Sequence, residues 1–296
     1  MSPSMEPVIL QSILLAVILS IPLMAWWHRP VLPAPLNPIP PDTPAEPNEP
    51  APPHLPLETL PLHHWWQRKD AWFAIILTIG LSLIMGPVAN GSDPPRSTSL
   101  TPLHMQVQLV FQLGITALVI VFLKDYRGFP VRKLSGWFRT GIIATTGTAL
   151  LWIIPAMFIL ALFNIGLITL LKSSGVALDP QPITHALKDV SNPSLLALSA
   201  LAVAVGAPLM EEIVFRGVLY SNARRWFPKW YALAASSIFF AVVHGNLLSF
   251  LPLAALGALF AEVYDRTRNL AVPVIMHGFF NLSNFLILVF APDVPI

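Results

Sequence analysis

Residues 194–223 read SLLALSALAVAVGAPLMEEIVFRGVLYSNA. The stretch is apolar over more than the about 20 residues a helix needs to cross a bilayer. It nevertheless holds Glu211, Glu212 and Arg216. An ionisable side chain at bilayer depth costs about 2.5–3.5 kcal/mol on insertion scales. Three of them on one span mark a place where charges are paired or put to use.

The rest of the chain has the same character. Of its 296 residues, 55% are hydrophobic and 11% charged, against about 25% charged in soluble domains. The expected fold is all-α, a multi-pass transmembrane helical bundle. Eight apolar spans can be drawn, at 8–27, 71–90, 105–124, 141–171, 194–223, 230–249, 250–265 and 269–291. The fourth contains Pro155, which predicts a kink or a strong tilt. The seventh is short.

Orientation follows from the basic residues, which gather in cytoplasmic loops. With the N-terminus outside, 13 of the 17 Lys and Arg fall in inside loops and three in outside loops, with Arg216 inside a span. This bias supports both the eight-span count and the N-terminus outside. The first segment has Glu6 and no Lys or Arg ahead of its apolar run, and Ala25-Trp26-Trp27 makes a poor cleavage site. Residues 1–27 therefore read as a retained anchor.

Residues 28–70 read as a proline-rich cytoplasmic linker, since 13 of the 31 prolines lie between 30 and 61. Such a stretch excludes helix and favours a semi-rigid polyproline II spacer of at most ~100 Å. Docking of a proline-binding partner is the other reading. His63-His64-Trp65-Trp66 suits an interfacial aromatic belt better than a metal pair. The basic loop from Lys124 to Arg139 fixes topology, with anionic lipid as its alternative contact. No basic domain suggests nucleic acid. The absence of cysteine excludes disulfides, thiolate metal sites and a cysteine nucleophile.

Helical periodicity separates the two glutamates. Glu212 and Arg216 are four apart and share a face, so they can pair. Glu211 is turned about 100° away and is free to work. Pro208 removes a backbone donor and is expected to free carbonyls near the site. His244 follows Phe240 by four residues, and His277, Asn281 and Asn284 form one polar stripe. At ~1.5 Å per residue from the nearest cytoplasmic basic residue, Glu211, His244 and His277 lie roughly 20, 22 and 14 Å deep. They can meet in one cavity.

Glu with His can deprotonate a water, and His with Asn can donate to a developing oxyanion. Amide hydrolysis suits this set. The same Glu and two His also make a zinc-ligand count, although no His-Glu-x-x-His sequence is present. An ion-coupled transporter and a structural polar core remain as alternatives at this level.

Glu211-Glu212-Ile213-Val214-Phe215-Arg216 resembles a Glu-Glu-x-x-x-Arg motif, Phe240-Ala241-Val242-Val243-His244 a Phe-x-x-x-His motif, and His277-Gly278-Phe279-Phe280-Asn281 a His-x-x-x-Asn motif. In this order they are similar to the CAAX protease and bacteriocin-processing (Abi) family of intramembrane proteases, which includes type II CAAX prenyl endopeptidases. The resemblance covers about 194–291, which would be the catalytic core, with 71–193 as accessory helices and loops. It implies that Glu211 and His244 activate water, that His277 and Asn281 stabilise the oxyanion, and that Glu212 and Arg216 support the site. The implied substrate is a membrane-associated protein or peptide, and the implied location is the bacterial inner membrane. The family has been described both as metalloproteases and as glutamate-dependent proteases. A metal-free mechanism is the first expectation, with zinc on Glu211, His244 and His277 the alternative. A non-catalytic scaffold or bacteriocin-immunity protein that keeps the polar core is the competing function.

Overall fold

A computed structural model describes residues 102–134, 140–175 and 192–290, together with 66, 67, 70, 73, 76 and 77. The expected anchor, nearly all of the proline-rich stretch and most of the second span lie outside these residues. Six helices organise what is described: α1 Pro102–Val121, α2 Ile142–Ser173, α3 Pro193–Trp226, α4 Lys229–Val243, α5 Leu247–Thr267 and α6 Ala271–Phe290. Among the described residues there is no strand. Five of the six, all but α4, are long and apolar enough to cross a membrane. Much of the large apolar surface of α2 is exposed, including Ile143, Leu151, Phe158 and Ile159, as suits a helix facing lipid.

The spans expected at 105–124, 141–171, 194–223 and 269–291 correspond to α1, α2, α3 and α6. The region between α3 and α6 divides differently. The span expected at 230–249 is the 15-residue α4, which ends at Val243. Its length of about 22 Å falls short of the about 30 Å hydrocarbon core. The span expected to be short, 250–265, is the 21-residue α5. The run from 230 to 265 is broken by His244-Gly245-Asn246, a turn signal that the span expected at 230–249 runs through. The turn falls at His244-Gly245-Asn246, where the Asn246 side chain caps α5 by accepting from the Ser249 N–H at 2.9 Å.

α4 and α5 form an antiparallel hairpin. Its open end is tied by Lys229, which lies 2.9 Å from Glu262 and 3.2 Å from Asp265. Arg268 adds a contact to Asp265 at 3.1 Å. One apolar core joins Val119 of α1 and Leu123 just beyond it, Met210, Ile213, Val214, Phe215 and Val218 of α3, Phe239 and Phe240 of α4, and Ala261 and Tyr264 of α5. A second joins Ala149 and Ile153 of α2, Leu256, Phe260 and Val263 of α5, and Val272 and Met276 of α6. α5 contributes to both cores and so links the two halves of the bundle.

α3 is not regular. It widens to π-type turns over Ala202–Gly206 and Ile213–Tyr220. Such widenings are rare and concentrate at functional sites. Both flank Glu211 and Glu212.

Candidate active site

The site begins with the damage Pro208 does to α3. Proline has no N–H, so a carbonyl one turn earlier loses its donor. The Val203 carbonyl instead accepts from Asn281 Nδ2 of α6 at 3.0 Å. Next to this bond α6 comes very close to α3. A Cβ on Gly278 would stand 2.6 Å from the Ala204 carbonyl oxygen, a contact only glycine avoids. The broken helix and the bare glycine together bring the His277-to-Asn281 stripe against the glutamates.

Glu212 is fully buried and its Oε1 receives two donors. Arg216 Nη1 donates at 2.8 Å and His277 Nδ1 lies at 3.0 Å. The pairing of Glu212 with Arg216 read from the sequence is present. A carboxylate oxygen bound to a guanidinium accepts, so the imidazole Nδ1 donates, which in the neutral ring leaves a lone pair on Nε2. His244 is fixed in the same sense. Its Nδ1 lies 2.7 Å from the Phe240 carbonyl, which can only accept, so in the neutral ring Nε2 again carries the lone pair.

Both Nε2 atoms turn toward one oxygen. Glu211 Oε2 lies 3.8 Å from His244 Nε2 and 3.8 Å from His277 Nε2. The oxygen is buried and has no hydrogen-bond partner in the described protein. At 3.8 Å neither contact is a direct hydrogen bond. A water set about 2.8 Å from two of these atoms would span the gap and donate to both. His244 is the most open of the group, with 27% of its side chain exposed against 3% for His277. Access to Glu211 is therefore from the tip of the α4–α5 hairpin.

The residue types suit zinc, but their placement does not. The two 3.8 Å separations exceed the about 3.4 Å edge of a tetrahedron with zinc bonds of about 2.0–2.2 Å. Among the described residues no group of three His, Asp or Glu side chains is arranged to hold a metal ion.

All six residues singled out from sequence lie in this one region. Asn284 is half-buried one turn further along α6. Sequence reading missed the aromatic packing. Phe240 touches both imidazoles, with ring centres 4.7 Å from His244 and 5.7 Å from His277. Only its place four residues before His244 hinted at this. Phe260 of α5 also packs on His277, at 5.1 Å, and nothing in an apolar span sets it apart.

Comparison with known proteins gives the site its relatives. Residues 193–283 match the family model described as Type II CAAX prenyl endopeptidase Rce1-like. The protein described as "Putative membrane peptidase YdiL" of Bacillus subtilis (strain 168) is 29% identical over 221 residues, 72% of this chain and 87% of the relative. The "Membrane-embedded CAAX protease MroQ" of Staphylococcus aureus (strain USA300) is 34% identical over 95 residues, 30% of this chain and 37% of the relative. An "Uncharacterized 24.3 kDa protein" of Escherichia coli is 28% identical over 131 residues, 43% of this chain and 58% of the relative. No solved structure matches the chain. The resemblance carried by the three motifs is thus borne out over residues 193–283, which match that family model.

Proposed function

We propose that this protein is an intramembrane endopeptidase that cleaves a membrane-associated protein or peptide with a metal-free water. The observation that carries the reading is the unpartnered Glu211 Oε2 facing two imidazole lone pairs at 3.8 Å. In the proposed reaction Glu211 and His244 hold a water, and Glu211 takes its proton as the oxygen attacks the scissile carbonyl. His277 and the second N–H of Asn281 then face the oxyanion. For that role His277 takes a second proton, at Nε2, from solvent as substrate binds and returns it when the products leave, so that one N–H is directed to Glu212 and one to the oxyanion. The buried charges of Glu211, Glu212, Arg216 and His277 then cancel. The proton on Glu211 passes to the leaving nitrogen as the tetrahedral intermediate collapses, and Glu211 is restored as the carboxylate. Glu212 and Arg216 hold His277 in place.

The surrounding protein is proposed to have eight spans, with the N-terminus outside, in a bacterial inner membrane. Residues 194–291 form its catalytic core, 71–193 accessory helices, 28–70 a cytoplasmic linker and 1–27 an anchor.

The test compares membrane-protein termini in cells carrying the wild-type chain and Glu211→Gln. Termini that vanish in the variant, with the variant still inserted at normal levels, support the reading. Identical termini overturn it and favour a non-catalytic scaffold or immunity protein. Metal analysis of the purified protein, with activity before and after chelation, decides the nucleophile. Loss of activity on chelation and recovery with zinc overturns the metal-free step.

A further inference from the structure

Arg216 is fully buried, and more than its carboxylate holds it. Its guanidinium carbon lies 4.8 Å from the Phe240 ring centre and 5.2 Å from that of Phe260. Its Nη2 donates to the Gly257 carbonyl at 3.0 Å. Gly257 and Phe260 both lie on α5, the helix that carries none of the three motifs. Gly257 is what lets the carbonyl reach. A Cβ there would lie 3.2 Å from Phe240 Cδ1 and 3.2 Å from the Ser237 Cα, pushing α5 away from α4.

Phe260 is 0% exposed and touches two members of one chain of contacts. Its ring faces the Arg216 cation and lies 5.1 Å from the His277 ring at an interplanar angle of 32°. Arg216 and His277 share Glu212 Oε1. An aliphatic side chain could fill the same core volume. It would offer neither a π face to the cation nor a flat wall to the imidazole.

We infer that Phe260, with the Gly257 carbonyl, is a positioning element of the active site. It fixes Arg216 against Glu212 and clamps the His277 ring, so that Nδ1–H stays on Glu212 and Nε2 faces Glu211. α5 is then a fourth functional helix. The inference rests on reading Glu211 and His277 as hydrolytic machinery, and its test does not depend on activity alone.

The test uses the full-length protein in detergent, labelled with 15N-histidine, with the His277 ring signals identified by their loss in His277→Gln. Phe260→Met keeps approximate volume and removes the ring. Phe260→Tyr keeps the ring. In wild type the two ring nitrogens of His277 give well-separated signals, as for a fixed tautomer. In Phe260→Met they move toward a common averaged value, and Glu211-dependent cleavage falls roughly ten- to hundredfold, the scale of a small misplacement. Phe260→Tyr keeps both signals apart. A folded Phe260→Met with wild-type His277 signals overturns the inference and leaves Phe260 as core packing. Phe260→Leu serves if the methionine variant does not fold. Absence of any proton contact between the His277 and Phe260 rings in wild type also overturns it. If the signals respond but wild type yields no Glu211-dependent termini, the positioning inference stands and the protease reading falls.

Discussion

The adjacent glutamates should respond to substitution with opposite signs in stability. Glu212 Oε1 accepts from Arg216 at 2.8 Å and from His277 at 3.0 Å, and the Glu212 and Arg216 side chains are 0% and 1% exposed. Glu212→Ala leaves the guanidinium buried without the carboxylate that accepts its hydrogen bond. Breaking a buried pair this way costs about 3–5 kcal/mol. At about 2–4 °C per kcal/mol for a domain of this order, the melting temperature falls roughly 6–20 °C. Glu211 is the reverse case. Its Oε2 has no hydrogen-bond partner, and its nearest polar contacts are at 3.8 Å. Burying an unpaired polar group is a cost, so Glu211→Gln should be neutral or stabilising by about 1 kcal/mol. The assay is thermal unfolding of the three proteins in one detergent, followed by tryptophan fluorescence. If Glu211→Gln melts as low as Glu212→Ala, the division of labour between the two carboxylates is wrong.

Three further outcomes follow from other parts of the molecule. Gly278→Ala places a methyl 2.6 Å from the Ala204 carbonyl, which should cost about 1–3 kcal/mol of overpacking and abolish Glu211-dependent cleavage; a wild-type melt with full activity would contradict the close approach of α6 to α3. Asp265→Asn loosens contacts to Lys229 and Arg268 at the far end of α5 and should lower stability by about 1–2 kcal/mol while cleavage persists, which a melt and a termini comparison will check. The chain has no cysteine, so single replacements report topology directly. Ser174→Cys should react with an impermeant maleimide from outside intact cells and Arg266→Cys only after permeabilisation; the opposite pattern would invert the orientation.

Particular residues explain what the sequence made visible. Glu212 and Arg216 stood out because charge is rare in an apolar span and because four residues make one helical turn. Pro208 announced a free carbonyl, since its missing N–H is a chemical certainty; the Val203 carbonyl is the acceptor so released. The turn between α4 and α5 carries a Gly245-Asn246 signal, which the apolar residues on both sides outweigh in a hydropathy reading. The identities of Phe260 and Gly257 carried no contrast with their neighbours, although one packs on the arginine and the other accepts its proton. The π-type widenings of α3 have no compositional mark either.

Depth shows how tertiary structure completes an arithmetic that sequence leaves open. Counted from the nearest basic residue, His277 should lie some 6–8 Å shallower than Glu211 and His244, yet it faces the same Glu211 oxygen. The difference is taken up by sinking the α5–α6 turn into the protein. Asn269 is 2% exposed and Leu270 3%, although Arg268 beside them is charged. Burying a turn requires that its backbone be satisfied. The Leu270 N–H donates to the Leu134 carbonyl at 2.8 Å. The Asn269 side chain accepts from the Ala271 N–H at 3.0 Å and donates to Thr145 at 3.2 Å. The segment from Phe129 to Leu134, whose two end residues are buried, meets the turn through the bond from Leu270 to Leu134. α1, through its continuation, and α2 thus do more than enclose the bundle: they pay the hydrogen bonds that let α6 start deep enough for its histidine to reach the glutamates.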